Sequence, residues 1–346
     1  MGSTAESWSR RWLRRAITLP GYAVLCLLSV ALLPLFELIA VLADRLRGGP
    51  AVLTRCIAFF VFYLCCEVVG VFCAFGAWLL HLLSLGRQRR RYLEWNFALE
   101  CWWARTLLAG AKWIFAMHVE AEHAEVASRG PLLLFIRHAS VGDTLLPAVL
   151  VSNTFGIRLR YVLKRELLWD PCLDIVGNRL PNYFARRGSG DSEREVRAVQ
   201  QLSENLGPAD GVLIYPEGTR FTPAKQAKVI DRLARSLTPD LLAQVKGFRH
   251  VLPPRLGGVL GLIDRNPNAD VVFCAHSGFE GAGTFHDLLK GTLVNAAIRV
   301  HFWRVAASEI PTAHDARVRW LFDQWQRVDE WVEEVTRLSN REQPSS

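Results

Sequence analysis

Pro131-Leu132-Leu133-Leu134-Phe135-Ile136-Arg137-His138-Ala139-Ser140-Val141-Gly142-Asp143 is the stretch from which the rest of the chain falls into order. It opens as an uninterrupted apolar run, short enough for a strand buried on both faces. It closes on a histidine with a carboxylate five residues further on, in the first turn of an expected helix. A histidine leaving a strand at this distance from an aspartate can form an imidazole–carboxylate pair. The carboxylate fixes the ring tautomer and stabilises the imidazolium that appears when the ring takes a proton. No serine or cysteine stands in a G-x-S-x-G context. The hydroxyl such a histidine would activate therefore has to come from a substrate.

Outward from this strand, the rhythm after residue 118 alternates strand and helix. Further strands are expected over Arg158–Leu163, Gly211–Tyr215, Asp270–Ala275 and Ile298–Trp303. Helices are expected over Ser192–Leu206, with Val196, Val199 and Leu202 on one face, and over Asp315–Leu338. Alternation of this kind argues an α/β sheet flanked by helices.

The N-terminal quarter reads differently. Ile17 to Phe36 is twenty residues without a charge, enough at 1.5 Å per residue to cross a hydrocarbon layer of about 30 Å. It is longer than the apolar core of a cleaved signal, roughly 7–15 residues, and is expected to be retained. A second run, Cys56 to Leu85, is broken only by Glu67 and His81 and ends at the basic stretch Arg87–Arg91. The two runs, over about 17–43 and 56–85, form an expected membrane hairpin turned near Arg47-Gly48-Gly49-Pro50. Glu67 is costly in lipid unless paired or protonated, so it is expected to face the first helix, or the hairpin dips into one leaflet. Arginines at both ends favour both ends cytoplasmic. The segment 87–118 mixes Trp95, Trp102, Trp103 and Trp113 with basic residues, which suits an amphipathic interfacial helix or a core helix of the following domain. The expected organisation is thus a hairpin over 1–86, an interfacial segment over 87–118, an α/β domain over 119–340 and a disordered tail over 341–346.

Composition narrows the function classes. Apolar residues make up 51% and charged residues only 21%, which excludes a disordered chain and favours membrane contact. The net charge of +8 fits anionic lipid or phosphorylated substrates. Nucleic acid is not expected as a partner, because no zinc-finger spacing and no exposed basic and aromatic cluster accompanies the charge. Six of the eight cysteines precede residue 102, mostly inside apolar runs, and imply no disulfide framework. The scattered histidines show no metal-ligand spacing.

A second motif, Tyr215-Pro216-Glu217-Gly218-Thr219-Arg220, also follows an apolar strand. Glycine permits a sharp turn, and Arg220 offers a bidentate fork for a phosphate. The order His138-x4-Asp143, then Pro181-Asn182-Tyr183-Phe184-Ala185-Arg186, then Glu217-Gly218-Thr219-Arg220, then Val251-Leu252-Pro253-Pro254-Arg255 resembles the glycerolipid acyltransferase family. Within it, the chain is most similar to the 1-acylglycerol-3-phosphate acyltransferases with a membrane hairpin. Ser140-Val141-Gly142 departs from the Asn-x-x often found after the family's histidine.

The resemblance implies a mixed sheet flanked by helices, preceded by the hairpin. It implies acyl transfer from acyl-CoA or acyl carrier protein to the free hydroxyl of 1-acyl-sn-glycerol-3-phosphate, giving phosphatidic acid, with no cofactor and no metal. His138 would be the base and Asp143 its carboxylate. Arg186 and Arg220 would hold the acceptor phosphate, and Glu217 would organise the Gly218-Thr219-Arg220 turn. Backbone N–H groups after His138, or in the Gly218 turn, would stabilise the oxyanion. Expected partners are the lysophospholipid, the acyl donor and membrane lipids. A lysophospholipid remodelling acyltransferase needs the same motifs with another head-group pocket. A non-catalytic membrane-anchored lipid-binding protein is the reading from another class, and intact His138, Asp143, Glu217 and Arg220 argue against it.

Overall fold

The computed structural model describes residues 6–185, 192–282 and 285–342. Four helices lead the chain: α1 (Trp8–Ala31), α2 (Leu33–Arg47), α3 (Val52–Leu83) and α4 (Arg89–Phe115). The remainder alternates: β1 (His118–Glu122), β2 (Leu132–Ile136), β3 (Arg158–Lys164), α5 (Pro171–Ile175), β4 (Tyr183–Ala185), α6 (Ser192–Leu202) and β5 (Asp210–Ile214). Then come α7 (Pro223–Leu233), α8 (Pro239–Lys246), α9 (Leu256–Arg265), β6 (Asp270–Ser277), α10 (Phe285–Leu289), β7 (Ala297–Val305) and α11 (His314–Glu342).

Among the described residues, seven strands form one sheet in the order β1-β7-β6-β2-β5-β3-β4. The β6–β7 pair is antiparallel and the other neighbours are parallel, so the sheet is mixed as expected. Strand β2 is central, with Leu132 opposite Gly211 on one side and Ile136 opposite Cys274 on the other. Its residues divide between two cores, Leu133 and Phe135 facing one and Leu132, Leu134 and Ile136 the other. Helices cover both faces, which is why the strand reads as a continuous apolar run with no polar alternation.

All five expected strands are present within two residues of their expected ends. Strands β1 and β4 lay outside the expectation. His118-Val119-Glu120-Ala121-Glu122 is almost wholly exposed at the sheet edge and carries no apolar run, and β4 is three residues long. The helix expected over Ser192–Leu206 stops at Leu202. The last helix runs on to Glu342, so Arg341 and Glu342 belong to it and not to a disordered tail; residues 343–346 lie outside the described residues.

The N-terminal helices also depart in detail from the expected hairpin. The first apolar run is two helices, since Pro34 cannot donate to the ladder and the break falls at Leu32. The turn between α2 and α3 is where the sequence puts it, with Gly48 in the left-handed region at φ 66°. Asp44 secures that turn by accepting from the backbone N–H groups of Leu53 and Thr54 at 3.1 and 2.9 Å. Helices α1 and α3 are long and apolar enough to cross a membrane.

The hydrogen-bond partners of Glu67 come from beyond the first helix. Its carboxylate accepts from Trp103 Nε1 on α4 at 2.6 Å and from the Cys172 backbone N–H on α5 at 3.0 Å. Helix α4 is covered on two sides, by α3 and by the α/β domain, with Cys101, Ala104, Leu108 and Phe115 buried. Trp113, 84% exposed, is the tryptophan of this helix that matches an interfacial reading best.

Candidate active site

The site lies at the carboxyl ends of β2, β5 and β6, the usual crevice of an open α/β sheet. His138 and Asp143 meet there. His138 Nδ1 stands 3.1 and 3.2 Å from the two carboxylate oxygens of Asp143. Asp143 is fully buried, and its Oδ2 also accepts from the N–H groups of Ala139 and Ser140, each at 2.7 Å. Three donors converge on one carboxylate, so its orientation is over-determined. A carboxylate cannot donate, so Nδ1 carries the proton and Nε2 is left as the lone-pair nitrogen. Nε2 has no hydrogen-bond partner among the described residues. The ring of Tyr215 lies against that of His138 at 4.4 Å between centroids, tilted by 43°.

The second motif closes on the first through its backbone. Glu217 is buried, and its two oxygens accept from His138 N and Leu252 N, each at 2.9 Å. Phe221 N–H donates to His138 O at 3.1 Å. His138 is thus bracketed on both its own backbone groups by residues flanking Gly218-Thr219-Arg220. Each Glu217 oxygen thus holds one main-chain N–H, one of them that of His138 itself. Burial pushes its carboxyl up to about 8, against the pull of those two N–H groups.

Gly218 sits at φ 66°, and a Cβ there would stand 2.6 Å from Arg255 Nε. Lys225 Nζ donates to Thr219 Oγ1 and to Arg220 O at 3.3 and 3.0 Å, fixing the end of the turn. Arg220 is half-buried beside it. The fourth motif is held from behind by α11: Asp329 accepts from the N–H groups of His250 and Val251 at 2.6 and 3.1 Å, and Trp325 Nε1 donates to Leu252 O at 3.0 Å. Arg186 lies outside the described residues, so it is not placed relative to Arg220.

The expected oxyanion donors are mostly committed elsewhere. Ala139 and Ser140 N–H serve Asp143, Gly142 N–H points to Ser140 Oγ at 3.2 Å, and Gly218 N–H closes its own turn on Tyr215 O at 2.8 Å. Ser140 Oγ donates to Ala282 O at 2.6 Å and is buried, which removes it as a nucleophile for His138.

Sequence reasoning missed the loop after β6 and the residue before the histidine. Arg137 is buried and donates to His250 O, to His276 O at 2.6 Å and to Glu280 at 2.5 Å. Its guanidinium and burial act oppositely on the Glu280 carboxyl, which ends below its ordinary value. The signal was a histidine and a serine interrupting the apolar run of β6 at its carboxyl end. Among the described residues no cluster of histidine, cysteine or carboxylate groups is arranged to hold a metal ion.

Residues 118–255, which include the central strand β2 and the histidine–aspartate pair at its end, match the family model described as Acyltransferase. Among known proteins, the chain is 23% identical over 208 residues to 1-acyl-sn-glycerol-3-phosphate acyltransferase epsilon of Mus musculus, covering 57% of this chain and 56% of that one. It is 34% identical over 118 residues to lyso-ornithine lipid O-acyltransferase of Pseudomonas aeruginosa, covering 34% and 40%. The chain therefore spans about half the length of the curated relatives it matches. The fold matches that of the 1-acyl-sn-glycerophosphate (LPA) acyltransferase PlsC from Thermotoga maritima with a TM-score of 0.54 at 16% identity, over 82% of this chain and 96% of that one.

Proposed function

We propose that this chain transfers an acyl group from a soluble thioester donor, acyl-CoA or acyl carrier protein, to the free hydroxyl of 1-acyl-sn-glycerol-3-phosphate, yielding phosphatidic acid. The observation that carries the reading is the orientation of His138: Nδ1 is held by Asp143 while Nε2 stays available as a base. In the proposed step, Nε2 takes the hydroxyl proton as the substrate oxygen attacks the thioester carbonyl. The imidazolium so formed is stabilised by Asp143. Collapse of the tetrahedral intermediate breaks the carbon–sulfur bond, and the departing thiolate takes the proton back from His138. Arg220 holds the acceptor phosphate, with Arg186 as its proposed companion. Glu217 acts by fixing the His138 backbone.

The acceptor and product are lipids and the donor is soluble, so the chain works at a membrane surface. We propose that α1 and α3 make it an integral protein with the α/β domain on the cytoplasmic side, supported by the flanking arginines. Full-length protein should then stay with membranes through high salt and carbonate.

The test is purified protein with labelled acyl-CoA and a panel of lysolipids. The panel includes lyso-ornithine lipid, because of the match to that enzyme, and other lysophospholipids for the remodelling reading. Lysophosphatidic acid should be the best acceptor. In Arg220→Lys, a point charge replaces the fork, and the acceptor KM should rise about tenfold with the donor KM unmoved. Preference for a phosphate-free lysolipid would overturn the acceptor assignment, and no transfer to any of them would overturn the enzyme reading.

A further inference from the structure

His276 stands at the carboxyl end of β6, fully buried and unused in the mechanism above. Its Nε2 lies 2.9 Å from Arg137 O and 3.6 Å from Asp143 Oδ2. A carbonyl only accepts, so Nε2 carries the ring proton. Nδ1 is buried with no hydrogen-bond partner, as befits a neutral ring. Burial, opposed by the Asp143 carboxylate and aided by the Arg137 guanidinium, disfavours a positive charge there. Arg137 returns the contact: its Nη1 donates to His276 O at 2.6 Å. Strands β2 and β6 are parallel neighbours, and Arg137 N–H extends their ladder to Cys274 O at 3.2 Å. The reciprocal pair 137–276 therefore stitches the two strand ends together one residue before His138.

We infer that His276 is a positioning residue for acyl transfer, acting through Asp143 and through the backbone of Arg137. Its N–H fixes the peptide from which His138 departs and turns the positive end of its dipole toward the Asp143 carboxylate. Asp143 thus lies between two imidazoles with different duties. His138 exchanges a proton with substrate, whereas His276 holds its proton throughout. Small displacements of a base from its attack geometry cost large factors in rate, up to about a hundredfold for 1 Å. The role rests on the acyl transfer proposed above.

The experiment uses the full chain in detergent micelles with labelled acyl-CoA and lysophosphatidic acid, and compares wild type, His138→Ala, His276→Gln, His276→Asn and His276→Met. The amide nitrogen of Gln reaches the place of Nε2. That of Asn falls near Nδ1, where no acceptor waits. Asn and Met should lower kcat by about tenfold or more while both KM values stay within about twofold. Gln should recover kcat to within about threefold of wild type. In the His138→Ala background, His276→Asn should subtract nothing further, since a residue acting through the pair loses its lever when the base is gone. Turnover is expressed per folded molecule, so partial unfolding cannot imitate the effect. Wild-type kcat in the Asn and Met variants, a Gln variant as poor as Asn, or an additive loss on His138→Ala would each overturn the role of His276. An active wild type with these results removes that role alone; a wild type inactive on every lysolipid removes the transfer reading with it.

Discussion

Buried polar groups gather in two regions of this molecule, and the two are wired differently. At the strand ends, Asp143 collects three donors and Glu217 two, yet the network stops at His138 Nε2. Where α1, α3 and α4 meet residues 170–179, it closes on itself. Asp174 accepts from Arg14 Nη2 and Arg15 Nε at 2.7 and 2.8 Å, and Glu67 from Trp103 and Cys172. Arg179 donates to Ala74 O and Asn96 Oδ1 at 2.8 and 3.1 Å. In both regions the buried carboxylates keep their oxygens partnered, as buried groups must. One leaves a ring nitrogen with no hydrogen-bond partner among the described residues; the other spends its groups on docking apolar helices to the α/β domain. The same chemistry thus yields a reactive site or a joint, according to whether the network is left open.

Variants that remove one side chain from each region should separate rate from stability. His138→Ala should reduce turnover by about 10²–10⁴-fold, the usual worth of general-base assistance, while its unfolding temperature stays near that of wild type. Turnover close to wild type would merge the two regions into one structural class. Asp174→Ala should do the opposite. Two arginines lose a carboxylate whose side chain is 1% exposed, and breaking such a pair costs about 3–5 kcal/mol. Thermal unfolding should register that loss, with kcat per folded molecule retained. An Asp174→Ala protein of normal stability but poor kcat would place the joint in the catalytic machinery.

The smallest effect concerns Glu100 on α4. Burial raises its carboxyl to about 8, opposed by a hydrogen bond from Asn182. A raised carboxyl binds its proton in the folded state where the unfolded chain has released it. Its contribution to stability is therefore complete below the ordinary carboxylate range and is lost as pH rises through about 8. Unfolding temperature should decline between about pH 5 and pH 8, and Glu100→Gln should flatten part of the decline. Glu217, also raised to about 8, contributes with the same sign. An unchanged slope in Glu100→Gln would show that this carboxyl titrates normally.

The two regions also differ in how far they are legible in sequence. The strand ends announce themselves, because a buried parallel strand needs an apolar run and the candidate site residues follow within seven positions of it. Their identity was readable; their wiring was not. Glu217 looked like part of a binding turn, and only the fold shows it reaching back 79 positions to His138. His276 looked like one more scattered histidine, since its partners are supplied by a neighbouring strand 139 positions away. In the joint, hydropathy located the long helices but could not find partners for Glu67, which lie 36 and 105 positions along the chain. The break at Leu32 was legible in Pro34 and hidden by the continuity of the apolar run. Edge strands β1 and β4 left no signal, one too polar and the other too short.

If the open network acts on a hydroxyl brought by the substrate, no acyl group rests on the protein during transfer. Labelled acyl donor should be incubated with the full chain in the absence of lysolipid, the protein denatured, and the retained label counted before and after acceptor is supplied. No label is expected on the denatured protein, and labelled phosphatidic acid is expected only once lysophosphatidic acid is present. Stoichiometric label retained on the protein without acceptor, and discharged into product when acceptor is added, would contradict it.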